Sequence, residues 1–93
     1  MSSKVVIQVI NPNTSRAMTE TIGSAARAVA AAGTEILAVC PTQGVPSIEG
    51  HFDEAIAAIG VLEQIKSGRE QGVSGHVIAC FGDPGMDAAR ELA

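Results

Sequence analysis

The residue types best suited to chemistry gather in His76-Val77-Ile78-Ala79-Cys80-Phe81-Gly82-Asp83-Pro84-Gly85. Cys80 is the best candidate nucleophile or base. Val77, Ile78 and Ala79 are apolar without alternation, as in a parallel strand covered on both faces. Asp83 can cap a helix and Pro84 suits a first helical position. Cys80 is therefore expected where the carboxyl end of a strand meets the amino end of a helix. Open α/β sheets place their chemistry there, and the local field favours thiolate over thiol. Phe81 and Gly82 leave backbone amides nearby, and Gly82 and Gly85 let a ligand approach the main chain. The competing reading is a small buried apolar residue, a common role for cysteine.

Two other stretches carry polar groups. Asn11-Pro12-Asn13-Thr14 offers amides, a hydroxyl and free helix-terminal N–H groups, able to bind a carboxylate or an imide, or simply to cap a helix. Ser47-Ile48-Glu49-Gly50 is either a cap and turn or a substrate lid. Cys40 closes a second strand and is read as structural. No CxxC or zinc spacing links the two cysteines. His51 and His76 have no ligand partner at helical or strand spacing, so they read as solvated or core histidines and no metal is expected. Asp83 and Asp87 read most simply as a cap and a helix-dipole partner.

These residues must be held by a scaffold, and the chain spells one out. Lys4–Ile10 is a β-branched run that predicts a central parallel strand. Arg16–Ala32 is helical, with Met18, Ile22, Ala25, Ala26 and Val29 on one stripe and Gly33 ending it. Thr34–Val39 is the second strand. The loop Pro41–Gly50 is long for such a connection, which usually takes about 2–6 residues, and long loops at strand ends are often functional. A second helix runs from about His51 to Ser67. Phe52, Ala55, Ile56, Ile59 and Leu62 make one stripe, which Ala58, Val61 and Ile65 widen enough to suggest packing on two sides. Gly60 inside it costs about 1 kcal/mol relative to Ala and points to a close backbone approach. Gly75–Ala79 is the third strand, and Pro84 opens a third helix. The order β-α-β-α-β-α predicts an α/β fold, a three-layer sandwich on a parallel sheet of strand order 2-1-3, like half of a flavodoxin-like or Rossmann-like domain. That order brings Asn11, Pro41 and Cys80 to one edge, with Cys40 two strand spacings from Cys80, about 10 Å.

Composition narrows the function. The chain has 93 residues, 46% apolar and 2% aromatic, with a formal net charge of −4. A single compact lobe is expected over residues 1–93, with few aromatics to stack bases and no basic patch, so nucleic-acid binding is not expected. No apolar run reaches the ~18 residues of a membrane span, and Val5–Ile10 is too short for a signal-peptide core. A cytoplasmic location is the default expectation.

Ile10-Asn11-Pro12-Asn13-Thr14-Ser15, Ser47-Ile48-Glu49-Gly50, Asp53-Glu54-Ala55 and Ala79-Cys80-Phe81-Gly82-Asp83-Pro84-Gly85 occur in that order. The set resembles the amino-terminal part of hydantoin racemases and their allantoin racemase relatives, within the aspartate/glutamate racemase superfamily. The resemblance implies a cofactor-independent isomerase with two similar α/β lobes, each supplying one cysteine to the cleft between them. One thiolate would remove the proton from the chiral carbon of a 5-substituted hydantoin, and the opposite thiol would return one to the other face. Cys80 matches the first-lobe cysteine. Asn11 and Asn13 match a motif that faces the substrate, Phe81 and Gly82 would line the site, and Ser47 and Ile48 are further substrate-contact candidates. The second cysteine of that family lies beyond residue 93, and Cys40 does not occupy its place. The expectation is a first lobe that cannot racemise alone, acts on a small molecule, and self-associates as a homo-oligomer through exposed apolar cleft surface.

Two other readings fit the same residues. One is another chemistry of the superfamily, of the maleate isomerase or malonate decarboxylase type. The other is a non-catalytic small-ligand binding or assembly module in which Cys80 is inert.

Overall fold

The computed structural model describes residues 4–93. Three strands, β1 (Val5–Ile10), β2 (Thr34–Val39) and β3 (Gly75–Ile78), alternate with three helices, α1 (Arg16–Val29), α2 (His51–Glu70) and α3 (Met86–Leu92). The strands form one parallel sheet in the order β2-β1-β3, as the sequence predicts. Ile10 of the central strand is level with Val39 on one side and Ile78 on the other. All three strands therefore end at one edge.

Alternation along the strands sorts the two sheet faces. Ile10 and Ile78 join Val61 and Ile65 of α2 and Ala89 of α3 in the buried core, with Val39, Leu62, Cys80, Met86 and Leu92 packed around it. Each large aliphatic side chain buried there contributes about 1.5–3 kcal/mol. On the opposite face α1 lies over β2 and β1 so closely that a Cβ on Gly23 would sit 2.9 Å from the Ala38 Cβ.

That contact corrects the expected α1 stripe. The buried α1 residues are Thr19 and Gly23, whereas Met18 and Val29 are exposed. The helix docks on its smallest residue, which turns Met18 and Val29 outward while Ile22 and Ala26 stay half-buried. It also leaves β3 bare on that side. Val77 is 47% exposed while Ile78 is buried, so β3 is covered on one face, not both.

Segment ends shift for local reasons. Lys4 and Ala79 fall just outside their strands. Helix α1 stops at Val29 because Ala30 is extended and Thr34 N–H closes a turn onto Ala31 O at 3.0 Å, with Gly33 at φ 85°. Helix α2 continues through Ser67-Gly68 to Glu70. Gly68 is needed there, because its missing side chain leaves the space that the Gln8 amide fills. Gly60 is the close approach the sequence suggested, with Pro41 packed against it. Helix α2 meets both the sheet and α3 through Val61 and Ile65, while its outer flank, with Phe52 and Ile59, is exposed. No helix among the described residues is long and apolar enough to cross a membrane.

Candidate functional site

The strand order brings the three post-strand segments together. Asn11 N–H donates to Val39 O at 2.9 Å, and Ala79 N–H donates to Ile10 O at 2.8 Å. The β-ladders thus extend just past the strands, fixing Asn11 between the Cys40 and Cys80 segments. The loop after β2 is tied across the loop after β1, since Thr14 N–H donates to Val45 O at 3.0 Å.

Asn11, Pro12 and Asn13 are buried, and the two amides build the loop from within. Asn11 Nδ2 lies 2.8 Å from Asn13 Oδ1, 3.1 Å from Thr19 Oγ1 and 3.2 Å from Ser15 O. Asn13 Oδ1 also accepts Ser15 N–H at 2.8 Å, while its Nδ2 meets Met18 Sδ at 3.2 Å. Ser15 caps α1 by accepting Met18 N–H on Oγ at 3.1 Å. Capping is therefore the work of Ser15, and the asparagines hold the shape that presents it. Every buried side-chain polar atom among the described residues has a partner, as such groups require.

Cys80 is half-buried and lines an open apolar depression with Ile78, Ala79, Phe81 and Asp83. Phe81 is fully exposed beside it. The chain then turns twice. Asp83 N–H donates to Cys80 O and Met86 N–H donates to Asp83 O, each at 3.1 Å. Asp83 takes φ 44° and Gly85 φ 80°, left-handed geometry that aspartate tolerates and glycine favours. This corrects the expected helix start. Asp83 is a corner between turns, Pro84 lies inside the second turn, and α3 begins only at Met86 with Gly85 before it and no side-chain cap. The helix amino end therefore comes after both turns, at Met86, and not directly after Cys80.

The space over the two loop glycines is also taken. A Cβ on Gly82 would lie 2.5 Å from Glu54 Oε2, and one on Gly85 would lie 3.3–3.5 Å from Ala58. These glycines admit α2 to the loop. Glu54 itself escaped the reading of single residues. Its partner is remote in sequence, and the only signal was its place in Asp53-Glu54-Ala55.

Of the remaining candidates, Ser47 is exposed and Ile48 half-buried, just before α2. Glu49 N–H donates to Asp53 Oδ2 at 3.0 Å, so this segment is at least a helix cap. His51 is exposed, 3.2 Å from Glu54 Oε1. His76 lies on β3 against Gln8, and burial first, then the Arg69 charge, lowers its pKa. Cys40 is half-buried beyond Asn11. Among the described residues no trio of His, Cys, Asp or Glu is placed to hold a metal ion.

Known proteins match this arrangement. The sequence model of the Asp/Glu/hydantoin racemase family matches residues 7–93. The hydantoin racemase of Pseudomonas sp. strain NS671 is 54% identical over 86 residues, covering 92% of this chain and 34% of the relative. That of Paenarthrobacter aurescens is 51% identical over 87 residues, covering 92% of this chain and 37% of its own. Among solved structures, the allantoin racemase from Klebsiella pneumoniae superposes with a TM-score of 0.95 at 84% identity, over 97% of this chain and 37% of that one. The chain thus spans roughly a third of the length of the curated relatives it matches.

Proposed function

The chain belongs to the Asp/Glu/hydantoin racemase family, and from that premise we propose that it forms the first lobe of a racemase acting on hydantoin-ring compounds. Allantoin is the first substrate to test, because the 84% identical relative is an allantoin racemase, with 5-substituted hydantoins next. The observation that carries the reading is the placement of Cys80, half-buried at the sheet's carboxyl edge beside the Asn11 loop.

The chemistry suits a thiol. A Cys80 thiolate would take the proton from the ring's chiral carbon, leaving a carbanion that delocalises onto the ring carbonyl. Backbone N–H groups near the loop would stabilise that charge. A thiol on the opposite face would then donate a proton, completing inversion. A thiol and a thiolate on opposite faces can exchange roles, so the pair serves in both directions, and the step needs no cofactor. Asn11 and Asn13 would shape the floor of the substrate site, with Ser47, Ile48, Phe81 and Gly82 around its rim. Exposed Phe52 and Ile59 support a homo-oligomer.

The test is a chimera in which residues 1–93 replace the matching stretch of the Klebsiella pneumoniae relative. Optically pure allantoin in deuterated buffer should racemise and take up deuterium at the chiral carbon. Cys80→Ser should abolish racemisation, and the 93-residue chain alone should give neither signal. Full racemisation by the Cys80→Ser chimera would sink the proposal.

A further inference from the structure

We infer that Glu54 is a positioning residue for Cys80: the amino end of α2 props the loop that carries the thiol. This inference rests on Cys80 being the reactive group proposed above.

Two contacts one helical turn apart support it. The Glu54 carboxylate fills the space that a Gly82 side chain would occupy, and Ala58, four residues on, meets Gly85 through its Cα, Cβ and O. Residues at i and i+4 share a helix face, so one face of α2 lies along the whole loop. The same face continues to Val61 and Ile65 in the core against which Cys80 packs. Glu54 is also held from behind, since Oε1 lies 3.2 Å from His51 Nδ1 while Oε2 is the atom at Gly82. Its carboxylate sits in the first turn of α2, where the helix dipole stabilises negative charge. The Cys80–Met86 stretch closes two turns on itself and is tied at its ends through Cys80 N–H to Ile78 O and Ala89 N–H to Gly85 O, so between those ends the contacts with α2 are what support it from outside.

Gly82 makes the inference testable without unfolding the protein. It is not among the glycines with positive φ, so alanine fits the backbone there. The clash would be with the end of a flexible side chain, which moves aside. Gly82→Ala should therefore displace the Glu54 carboxylate and little else. Gly85→Ala is a poorer probe, because φ 80° strains any side chain and Ala58 backbone stands in the way.

The experiment measures alkylation of Cys80 by iodoacetamide in the 93-residue chain, with Cys40 as the internal reference. Loss of the prop should free the half-buried thiol. Glu54→Ala and Gly82→Ala should each raise the Cys80 rate at least about threefold, within the coupling range of residues in contact. The double variant should react no faster than either single one. Glu54→Gln, which keeps the shape and can still accept from His51, should retain the wild-type rate. The Cys40 rate should not change in any of them. Multiplying effects in the double variant, an equal rise at Cys40, or no change at Cys80 would each overturn the inference. Because alkylation requires no turnover, the result is independent of whether the chimera racemises allantoin.

Discussion

Nδ1 of His76 lies 2.6 Å from Oε1 of Gln8, its level partner across the β1–β3 pairing. Gln8 is almost fully buried and spends its Nε2 on Gln64 O at 2.9 Å. Its Oε1 must therefore accept, and His76 must carry a proton on Nδ1. The neutral ring suffices, and burial and Arg69 both disfavour the second proton. The unfolded chain takes up that proton near the ordinary pH of 6.5 and the folded chain only below it. In that window the unfolded state holds more protons, so stability falls as pH falls. Urea midpoints should drop on going from about pH 7.5 to about pH 5, with a shallower drop in His76→Gln. Identical pH profiles for the two proteins would contradict this assignment.

Asn11 donates into a ring of oxygens, from Asn13, Ser15 and Thr19. Asn11→Asp conserves shape but replaces the donor with a buried anion facing acceptors. The expected loss is about 3 kcal/mol or more, the scale of an uncompensated buried charge. Thermal unfolding of the variant reads it directly. A melting temperature near wild type would mean that the loop rearranges around the carboxylate.

Gly60→Ala should also destabilise, against helix propensity. Alanine would gain about 1 kcal/mol in the helix, but its Cβ would lie 2.9 Å from Pro41 Cβ and 3.0 Å from Cγ. A proline ring cannot swing aside as a glutamate can, and overpacking of this kind costs about 1–3 kcal/mol. A net loss of up to about 2 kcal/mol follows, measurable as a lower urea midpoint with unchanged slope. An unchanged or higher midpoint would show that the Pro41 loop yields.

Phe52 and Ile59 leave apolar surface on the outer flank of α2. The 93-residue chain should sediment as a self-associating species, and Phe52→Ser with Ile59→Ser should shift it toward monomer. Sedimentation velocity over a range of concentrations decides this, and equal behaviour of the two proteins would remove this face from the association.

The sheet was legible because its signals are local. β-branched runs ending in Asn-Pro or Cys-Pro mark β1 and β2 with little ambiguity, and the alternation of strands and helices sets their parallel order. Helix faces were less legible. Which stripe of α1 is buried depends on how closely Gly23 approaches Ala38, a tertiary fact that the spacing of Met18 and Val29 obscures. At the site, the position of Cys80 followed from its strand. The inward turn of Asn11 depends on Thr19, eight residues on and already inside α1, and the placement of Glu54 depends on its contact with the distant Gly82. Asp83-Pro84 reads as a helix start by every local rule, yet the turn closed onto Cys80 O takes that aspartate first.

The central position of β1 has a kinetic meaning. The first strand in the chain receives its second partner only from β3, a sequence separation of 68 for Gln8 and His76. Closing so wide a loop is slow compared with forming local helices. The Asn11 segment can therefore take up its ladder with β2 early, but Cys80 joins that edge only when β3 docks. The thiol's setting is therefore expected to be completed late in folding, when β3 docks on β1.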